Sequence, residues 1–392
     1  MLSDVQALAA TIGPRGTGTP GEEAAADYVA RRLEAMGLPV ERHAFRAVSS
    51  QNDFPLAICM VTMLAGVLYT FGGPIGRWVS AALALSAAPL LWQTIRTSGN
   101  PLRPFLPQVS SGNVLAQVGP SGPLHKRVVI LAHLDTNRCR LVWQSSKLGS
   151  LEPLTWLTLL MLAGPGVLFL AGALLAASPP AWPEIDGFWL ASLLPAVYVA
   201  GMVVTLRKDD RTPFSPGAHD NAASVAVALE LGRRLAAQPF KDTQVWLAFT
   251  GAEESDHAGL YELLRRYDLS MRKACFIGLE GLGSGELVYL TRQGLCSHYR
   301  PDPGLLALAA DVAVRRPELR ARPAEMTVED ETGTLRRKGY CAICIAGRNP
   351  DSGTLPFWHR AEDTADKVSI EFMGRAADYL MALLEAIDRT AQ

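Results

Sequence analysis

Four long apolar runs without a single charged residue limit what this chain can fold into. They cover residues 54–73, 78–95, 154–178 and 188–206. A helix of about 20 apolar residues is long enough to cross the hydrocarbon core of a bilayer. Four buried core helices of a soluble protein are the alternative, but a soluble core rarely needs four such runs in two close pairs. The runs therefore predict two transmembrane helical hairpins, at 54–96 and 152–206.

The charges around these runs predict an orientation. Arg77, Glu184 and Asp186 lie between the members of a pair, whereas ten basic residues lie on the opposite side: Arg42, Arg46, Arg96, Arg103, Arg138, Arg140, Lys147, Arg207, Lys208 and Arg211. The positive-inside rule places that basic side in the cytoplasm. We therefore expect an integral protein of a bacterial-type inner membrane whose polar part faces the cytoplasm. The first 21 residues lack a signal-peptide pattern, and the six irregularly spaced cysteines are expected to be reduced thiols.

The polar remainder, residues 1–53, 97–151 and 207–392, predicts one interrupted α/β domain. Apolar strand-like runs alternate with amphipathic helical patterns, which is typical of a mostly parallel central sheet with helices on both faces. Strands are predicted at 113–118, 127–132, 244–250, 274–279, 286–290 and 341–345. Helices are predicted at 20–37, 222–235, 259–267, 304–315, 333–338 and 370–389. The net charge of −1 and the lack of a basic cluster argue against a nucleic-acid partner.

Residue types that bind metals follow the predicted strands. His133, Glu253, Glu254 and Glu280 each come just after one of them. The carboxyl ends of parallel strands meet at one edge of a sheet, where such folds place their sites. With Asp220 and His359, two His, one Asp and two Glu can hold two zinc ions, which leaves Glu253 as a base. Four other histidines match no such motif, and we predict that they are not metal ligands: His43, His125, His257 and His298.

Five segments also carry a family resemblance. They are 18–28 (GTPGEEAAADY), 132–135 (AHLD), 216–224 (PGAHDNAAS), 252–254 (AEE) and 359–366 (HRAEDTAD). In this order they resemble the co-catalytic zinc aminopeptidases, the family that contains bacterial leucine aminopeptidases, glutamate carboxypeptidase and glutaminyl cyclase. The resemblance covers nearly all of the polar sequence and implies the zinc exopeptidase fold.

The resemblance implies a role for each matching residue. Asp220 would bridge two zinc ions, with a cis peptide bond to Asn221. Glu254 and His359 would complete one metal site, and His133 and Glu280 the other. Asp135 would orient His133, and Glu253 would act as general base. Two departures stand out: His219 where the family more often has an acid, and Glu280 where Asp is commoner.

These observations predict a membrane-anchored zinc-dependent exopeptidase, best interpreted as an aminopeptidase acting on short peptides. Its partners would be a peptide substrate and the lipid bilayer, and the sequence does not predict an oligomeric state. One alternative is a glutaminyl cyclase or amide deacylase on the same fold. Another is a catalytically weak membrane scaffold, which the free acid Glu253 argues against.

Overall fold

The computed structural model describes residues 1–96, 99–140, 148–175 and 185–390. The chain divides into two compact units. The first, which we call the α/β unit, comprises Met1–Ser49, Gln108–Ser145 and Pro213–Gln392. The second, the helical unit, comprises Ser50–Pro107 and Ser146–Thr212.

The α/β unit is built on one eight-stranded sheet in the order β1-β2-β4-β3-β5-β8-β6-β7. Its strands are β1 (Val40–Val48), β2 (Gln108–Val118), β3 (Lys126–His133), β4 (Thr243–Thr250), β5 (Cys275–Glu280), β6 (Glu286–Gln293), β7 (Arg322–Met326) and β8 (Cys341–Arg348). The four central strands, β4, β3, β5 and β8, are mutually parallel. On either side, β2 and β6 join them in antiparallel pairs. This confirms the predicted α/β fold with a mostly parallel sheet.

Burial on both faces explains why β3 reads as a continuous apolar run. Val128 and Ile130 belong to the core on one face, whereas Val129 and Leu131 belong to the core on the other. A strand covered on both faces needs apolar residues at successive positions rather than at alternate ones.

Helices cover both faces of this sheet. The unit contains α1 (Leu2–Val5), α2 (Pro20–Glu34), α8 (Ser224–Ala237), α9 (Ala258–Met271), α10 (Pro303–Arg315), α11 (Glu331–Arg337) and α12 (Ile370–Arg389). Apolar residues of α2, α8, α10 and α12 share one core, and those of α9 and α11 the other. The predicted helices are all present, whereas β1, β7 and the N-terminal helix were not predicted.

Within its described residues, the helical unit contains five α-helices. They are α3 (Asp53–Phe71), α4 (Gly73–Ile95), α5 (Leu151–Leu175), α6 (Gly187–Ala191) and α7 (Leu193–Asp209). Within the described ranges, α3, α4 and α5 are long and apolar enough to cross a membrane. The predicted third run ends outside the described residues, since 176–184 are not among them.

The fourth predicted run differs from expectation, because it forms α6 and α7 with a break at Ser192. Pro195 has no N–H to donate to the carbonyl of the residue four positions earlier, and its ring would clash there. A helix can begin just before such a proline but cannot pass through it unbent. The result is a 17-residue helix in place of one long span.

Glycines allow α4 and α5 to lie close together. A Cβ atom added to Gly166 would come within 2.7 Å of the Leu85 backbone nitrogen. Small residues at helix contacts are typical of membrane bundles, where close backbone approach drives packing. The outward surface remains apolar, with large exposed side chains at Met60, Val67 and Leu160.

Candidate metal centre

The parallel strands bring the predicted ligands together at one edge of the sheet. His133 is the last residue of β3 and Glu280 the last of β5, while Glu253 and Glu254 follow the end of β4. Because β4, β3 and β5 are adjacent and parallel, their carboxyl ends lie side by side. Asp220 comes from the segment before α8, and its peptide bond to Asn221 is cis.

The side chains form two groups that share Asp220. Asp220 Oδ1 lies 3.2 Å from His133 Nε2, which is 3.5 Å from Glu280 Oε2. Asp220 Oδ2 lies 3.1 Å from His359 Nε2, which is 2.9 Å from Glu254 Oε1. Each group offers one imidazole and two carboxylates within reach of one ion.

These separations match the demands of zinc. Two ligand atoms bound to a tetrahedral zinc ion at about 2.0–2.1 Å lie about 3.3 Å from each other. Asp220 Oδ2 is also buried and, among the described residues, forms no hydrogen bond of acceptable geometry, with the His359 imidazole 3.1 Å away as its neighbour. An acceptor in this state marks a position for a cation. The donor set of imidazole nitrogen and carboxylate oxygen atoms therefore fits zinc.

The charge balance points the same way. Four carboxylates lie here against two imidazoles, and burial raises the pKa of Glu280 to about 8. Burial also raises the pKa of Glu253. For His359, burial opposes the charged imidazole, but the carboxylates of Glu254 and Asp220 raise its pKa to about 9. The buried site carries an excess of acid that bound cations would neutralise.

Asp135 contacts the imidazole of His133 and also the turn that follows β4. Its backbone carbonyl, rather than its carboxylate, is nearest to the imidazole of His133, at 3.0 Å from Nδ1. The carboxylate accepts hydrogen bonds from the backbone N–H groups of Glu253 and Glu254 and from the Thr17 hydroxyl. Asp135 thus fixes both the imidazole and the turn that carries the two glutamates.

Two asparagines hold further parts of the site. Asn137 donates a hydrogen bond to Glu254 Oε2 at 2.7 Å, leaving Oε1 directed at His359. Asn221 donates to the carbonyl of Leu279 and accepts from the N–H of Gly281. Because these residues flank Glu280, Asn221 fixes the end of β5 against the segment that carries Asp220.

Arg15 holds together the backbone segments that carry the proposed ligands. Its guanidinium is fully buried and donates to five backbone carbonyls, including those of Leu134, Pro216 and Gly217. These carbonyls belong to the segments that carry His133 and Asp220. Burial lowers the pKa of Arg15 to about 10, against the attraction of the nearby acids.

The backbone is strained around the same residues. Among the described residues, five non-glycine residues at 252–257 and 357–359 have positive φ: Ala252, Asp256, His257, Phe357 and His359. Only Arg320 shares this feature elsewhere in that part of the chain. Such conformations cost free energy and cluster at functional sites.

Sequence reasoning missed three contributors. Asp363 Oδ1 lies 2.7 Å from His219 Nδ1, and its other oxygen accepts from the Asp220 N–H. Glu22, which the sequence analysis gave no role at the site, accepts from the N–H of Ala252, just before Glu253. His257 contacts Glu253 directly. Asp363 lies in a quoted motif, so its signal was present, but the partners of the other two depend on tertiary contacts.

Sequence comparison supports the resemblance. The model of peptidase family M28 matches residues 209–384. Endoplasmic reticulum metallopeptidase 1 of Rattus norvegicus is 30% identical over 186 residues, which cover 45% of this chain and 19% of that protein. The Mus musculus protein is 29% identical over 186 residues, which likewise cover 45% of this chain and 19% of that protein. The chain thus spans about a fifth of the length of these relatives.

Structure comparison supports the fold. BSAP, a zinc aminopeptidase from Bacillus subtilis, superposes with a TM-score of 0.56 at 14% identity, covering 98% of this chain and 93% of that one. The aminopeptidase from Aneurinibacillus sp. strain AM-1 superposes with a TM-score of 0.57 at 14% identity, covering 98% of this chain and 92% of that one. A glutaminyl cyclase from an Acidobacteriales bacterium superposes with a TM-score of 0.55 at 15% identity, covering 99% of this chain and 94% of that one. Residues 209–384 are thus similar to peptidase family M28, and the chain has the α/β fold seen in these zinc aminopeptidases and this glutaminyl cyclase.

Proposed function

We propose that this protein is a membrane-anchored zinc-dependent aminopeptidase. One observation carries the proposal: two His–carboxylate groups share Asp220, and the carboxyl of Glu253 lies beside them, within reach of His133 and Glu254. His133 and Glu280 would hold one zinc ion, Glu254 and His359 the other, with Asp220 between them. An α/β sheet whose strand ends carry these residues is the scaffold that such a site needs.

The residues of the chain supply proton transfer and positioning. Two bound zinc ions would polarise the scissile carbonyl and lower the pKa of a water molecule. Glu253 accepts a proton from the attacking water and returns it to the departing amine, which a buried carboxyl of raised pKa is suited to do. Asp135 holds the turn that aims Glu253, through the N–H groups of Glu253 and Glu254.

Cyclisation of N-terminal glutamine is the second candidate, because glutaminyl cyclases share this fold. The same acid would then pass a proton between the attacking α-amine and the leaving ammonia. Removal of an acyl group from an amine is a third reaction open to this site. Only the substrate distinguishes these activities, since the proposed proton acceptor is common to all.

A substrate panel tests the aminopeptidase proposal. We expect detergent-purified protein to hydrolyse fluorogenic aminoacyl amides with a free α-amine, and to leave their N-acetylated counterparts intact. Cleavage of the blocked substrates alone would instead assign a deacylase or endopeptidase. Release of ammonia from glutaminyl peptides, without amide cleavage in the panel, would assign a cyclase.

We further propose that residues 1–53, 97–151 and 207–392 form the peptidase domain, interrupted by membrane hairpins at 54–96 and 152–206. The helical unit supports this, because side chains such as Leu194 and Val197, both 71% exposed, leave an apolar surface that water would not solvate well. Basic residues beside these segments support a cytoplasmic catalytic domain in a bacterial-type inner membrane.

Membrane attachment predicts a clear fractionation result. We expect the protein to stay in the pellet after washing membranes at alkaline pH and to enter solution only with detergent. In intact spheroplasts, a cysteine introduced at the exposed residue Glu325 should resist a membrane-impermeant maleimide and react after lysis. Labelling before lysis would reverse the proposed orientation, and release by the alkaline wash would contradict the anchor.

A further inference from the structure

His257, which the sequence interpretation left without a role, lies against the proposed general base. Its Nε2 is 3.1 Å from Glu253 Oε1, and the two side chains are only 5% and 8% exposed. The backbone N–H of His257 also donates to the carbonyl of Glu253, at 2.9 Å. A turn between these residues therefore brings both the backbone and the imidazole of His257 back to Glu253.

The partner of the other ring nitrogen indicates which nitrogen of the His257 imidazole carries the proton. Nδ1 lies 3.0 Å from the hydroxyl oxygen of Thr334, which itself accepts a hydrogen bond from Arg337. The Thr334 hydroxyl can then donate to Nδ1, which puts the proton of a neutral imidazole on Nε2. A protonated imidazole carries that proton as well. In either state the protonated Nε2 lies against the Glu253 carboxylate, 3.1 Å from Oε1.

This contact matters because Glu253 is close enough to bind a metal itself. His133, Glu253 and Glu254 offer ligand atoms within 4.8 Å of one another. A bound cation attracts any nearby carboxylate, and a carboxylate that binds the metal becomes a weaker proton acceptor because the cation lowers its pKa. Something must restrain Glu253 if it is to work as a base.

We propose that His257 is a positioning residue that keeps Glu253 out of the metal coordination and available for proton transfer. The inference rests on the proposed function, in which Glu253 is the base. Three features of the chain carry it: the Nε2–Oε1 contact, the Thr334 hydroxyl that orients the ring, and the positive φ of 51° that turns residue 257 towards Glu253.

Cobalt substitution tests this without substrate. Purified protein, freed of metal and loaded with Co²⁺, is compared as wild type, His257→Leu, His257→Gln and His257→Leu/Glu253→Gln, with Glu253→Gln as the reference for the double variant. His298→Leu is the matched control, since His298 is exposed. Visible absorption falls as the coordination number of Co²⁺ rises, so a newly bound Glu253 is detected directly.

We expect His257→Leu to lower the visible absorption about twofold, and His257→Gln, which retains an N–H donor, to stay near wild type. The double variant should match Glu253→Gln, because an amide is a poor metal ligand. On the aminoacyl amides, kcat of His257→Leu should fall about 10–100-fold with KM nearly unchanged. Thr334→Val should shift absorption and kcat in the same direction by less, which keeps the test open if His257→Leu fails to fold.

An unchanged cobalt spectrum in His257→Leu, or in Thr334→Val if the former does not fold, would overturn the proposal. So would a spectral change of equal size in the Glu253→Gln background, because Glu253 would then not be its source. If the spectra follow the expected pattern while the wild type hydrolyses no free-amine amide, the role of His257 stands and the aminopeptidase proposal fails.

Discussion

Replacing Glu253 by Gln is expected to lower kcat for aminoacyl amide hydrolysis about 10²–10⁴-fold while leaving the zinc content unchanged. The amide has the shape of the carboxylate but cannot accept the proton. Glu253 already lies in a fixed turn, held by Asp135 and His257, so the substitution removes proton transfer with little change in position. Steady-state kinetics together with metal analysis of the same sample measures both parts of this expectation.

The matched control is Glu23→Gln, because Glu23 is an exposed acid outside the site. It should keep wild-type kcat and metal content. Activity of Glu253→Gln within threefold of wild type would remove Glu253 from the mechanism, whereas a parallel loss of zinc would make it a ligand rather than a base.

Removing Asp220 should have a larger effect on metal binding than removing any other proposed ligand. Asp220 is shared by both groups, whereas Glu280 belongs to one of them. We therefore expect Asp220→Ala to lose both zinc ions and all measurable hydrolysis, and Glu280→Ala to retain about one ion per chain. Equilibrium dialysis followed by elemental analysis separates the two results.

Asp311→Ala serves as the control for these variants, because Asp311 lies on an exposed helix face, paired with Arg315. It should bind as much zinc as the wild type. Equal losses of metal from Asp220→Ala and Glu280→Ala, with both proteins folded, would argue against a bridging role for Asp220.

The strand ends explain why the proposed ligands could be predicted from sequence. His133 and Glu280 end buried strands, and the apolar runs before them mark those strands clearly. Parallel neighbours align their carboxyl ends, so residues far apart in sequence were expected at one edge. The structure brings all five proposed ligands together there.

Contacts between residues that are far apart in the chain left no comparable signal in the sequence. His257 was set aside because it matches no motif, yet a turn returns its ring to Glu253 and Thr334 of a distant helix orients it. Asp135 was expected to orient His133, but not through which of its groups, and its backbone carbonyl lies nearer to the imidazole than its carboxylate does. Side-chain direction depends on turn geometry, which residue type alone does not determine.

The membrane runs show a similar limit. Composition marked residues 188–206 as apolar and long enough to span, but not where the helix breaks. The break between α6 and α7 lies just before Pro195. It follows from the missing N–H of proline, which hydropathy does not report. The edge strand β1 was missed because Glu41, Arg42 and Arg46 interrupt it and leave no apolar run.

Zinc titration of metal-free protein, followed by hydrolysis of a free-amine aminoacyl amide, tests the central claim most directly. The shared position of Asp220 predicts no activity without metal and a rise to a plateau at two zinc ions per chain. A plateau at one ion would contradict the two-metal site, and hydrolysis that persists in the metal-free protein would contradict zinc-dependent catalysis altogether.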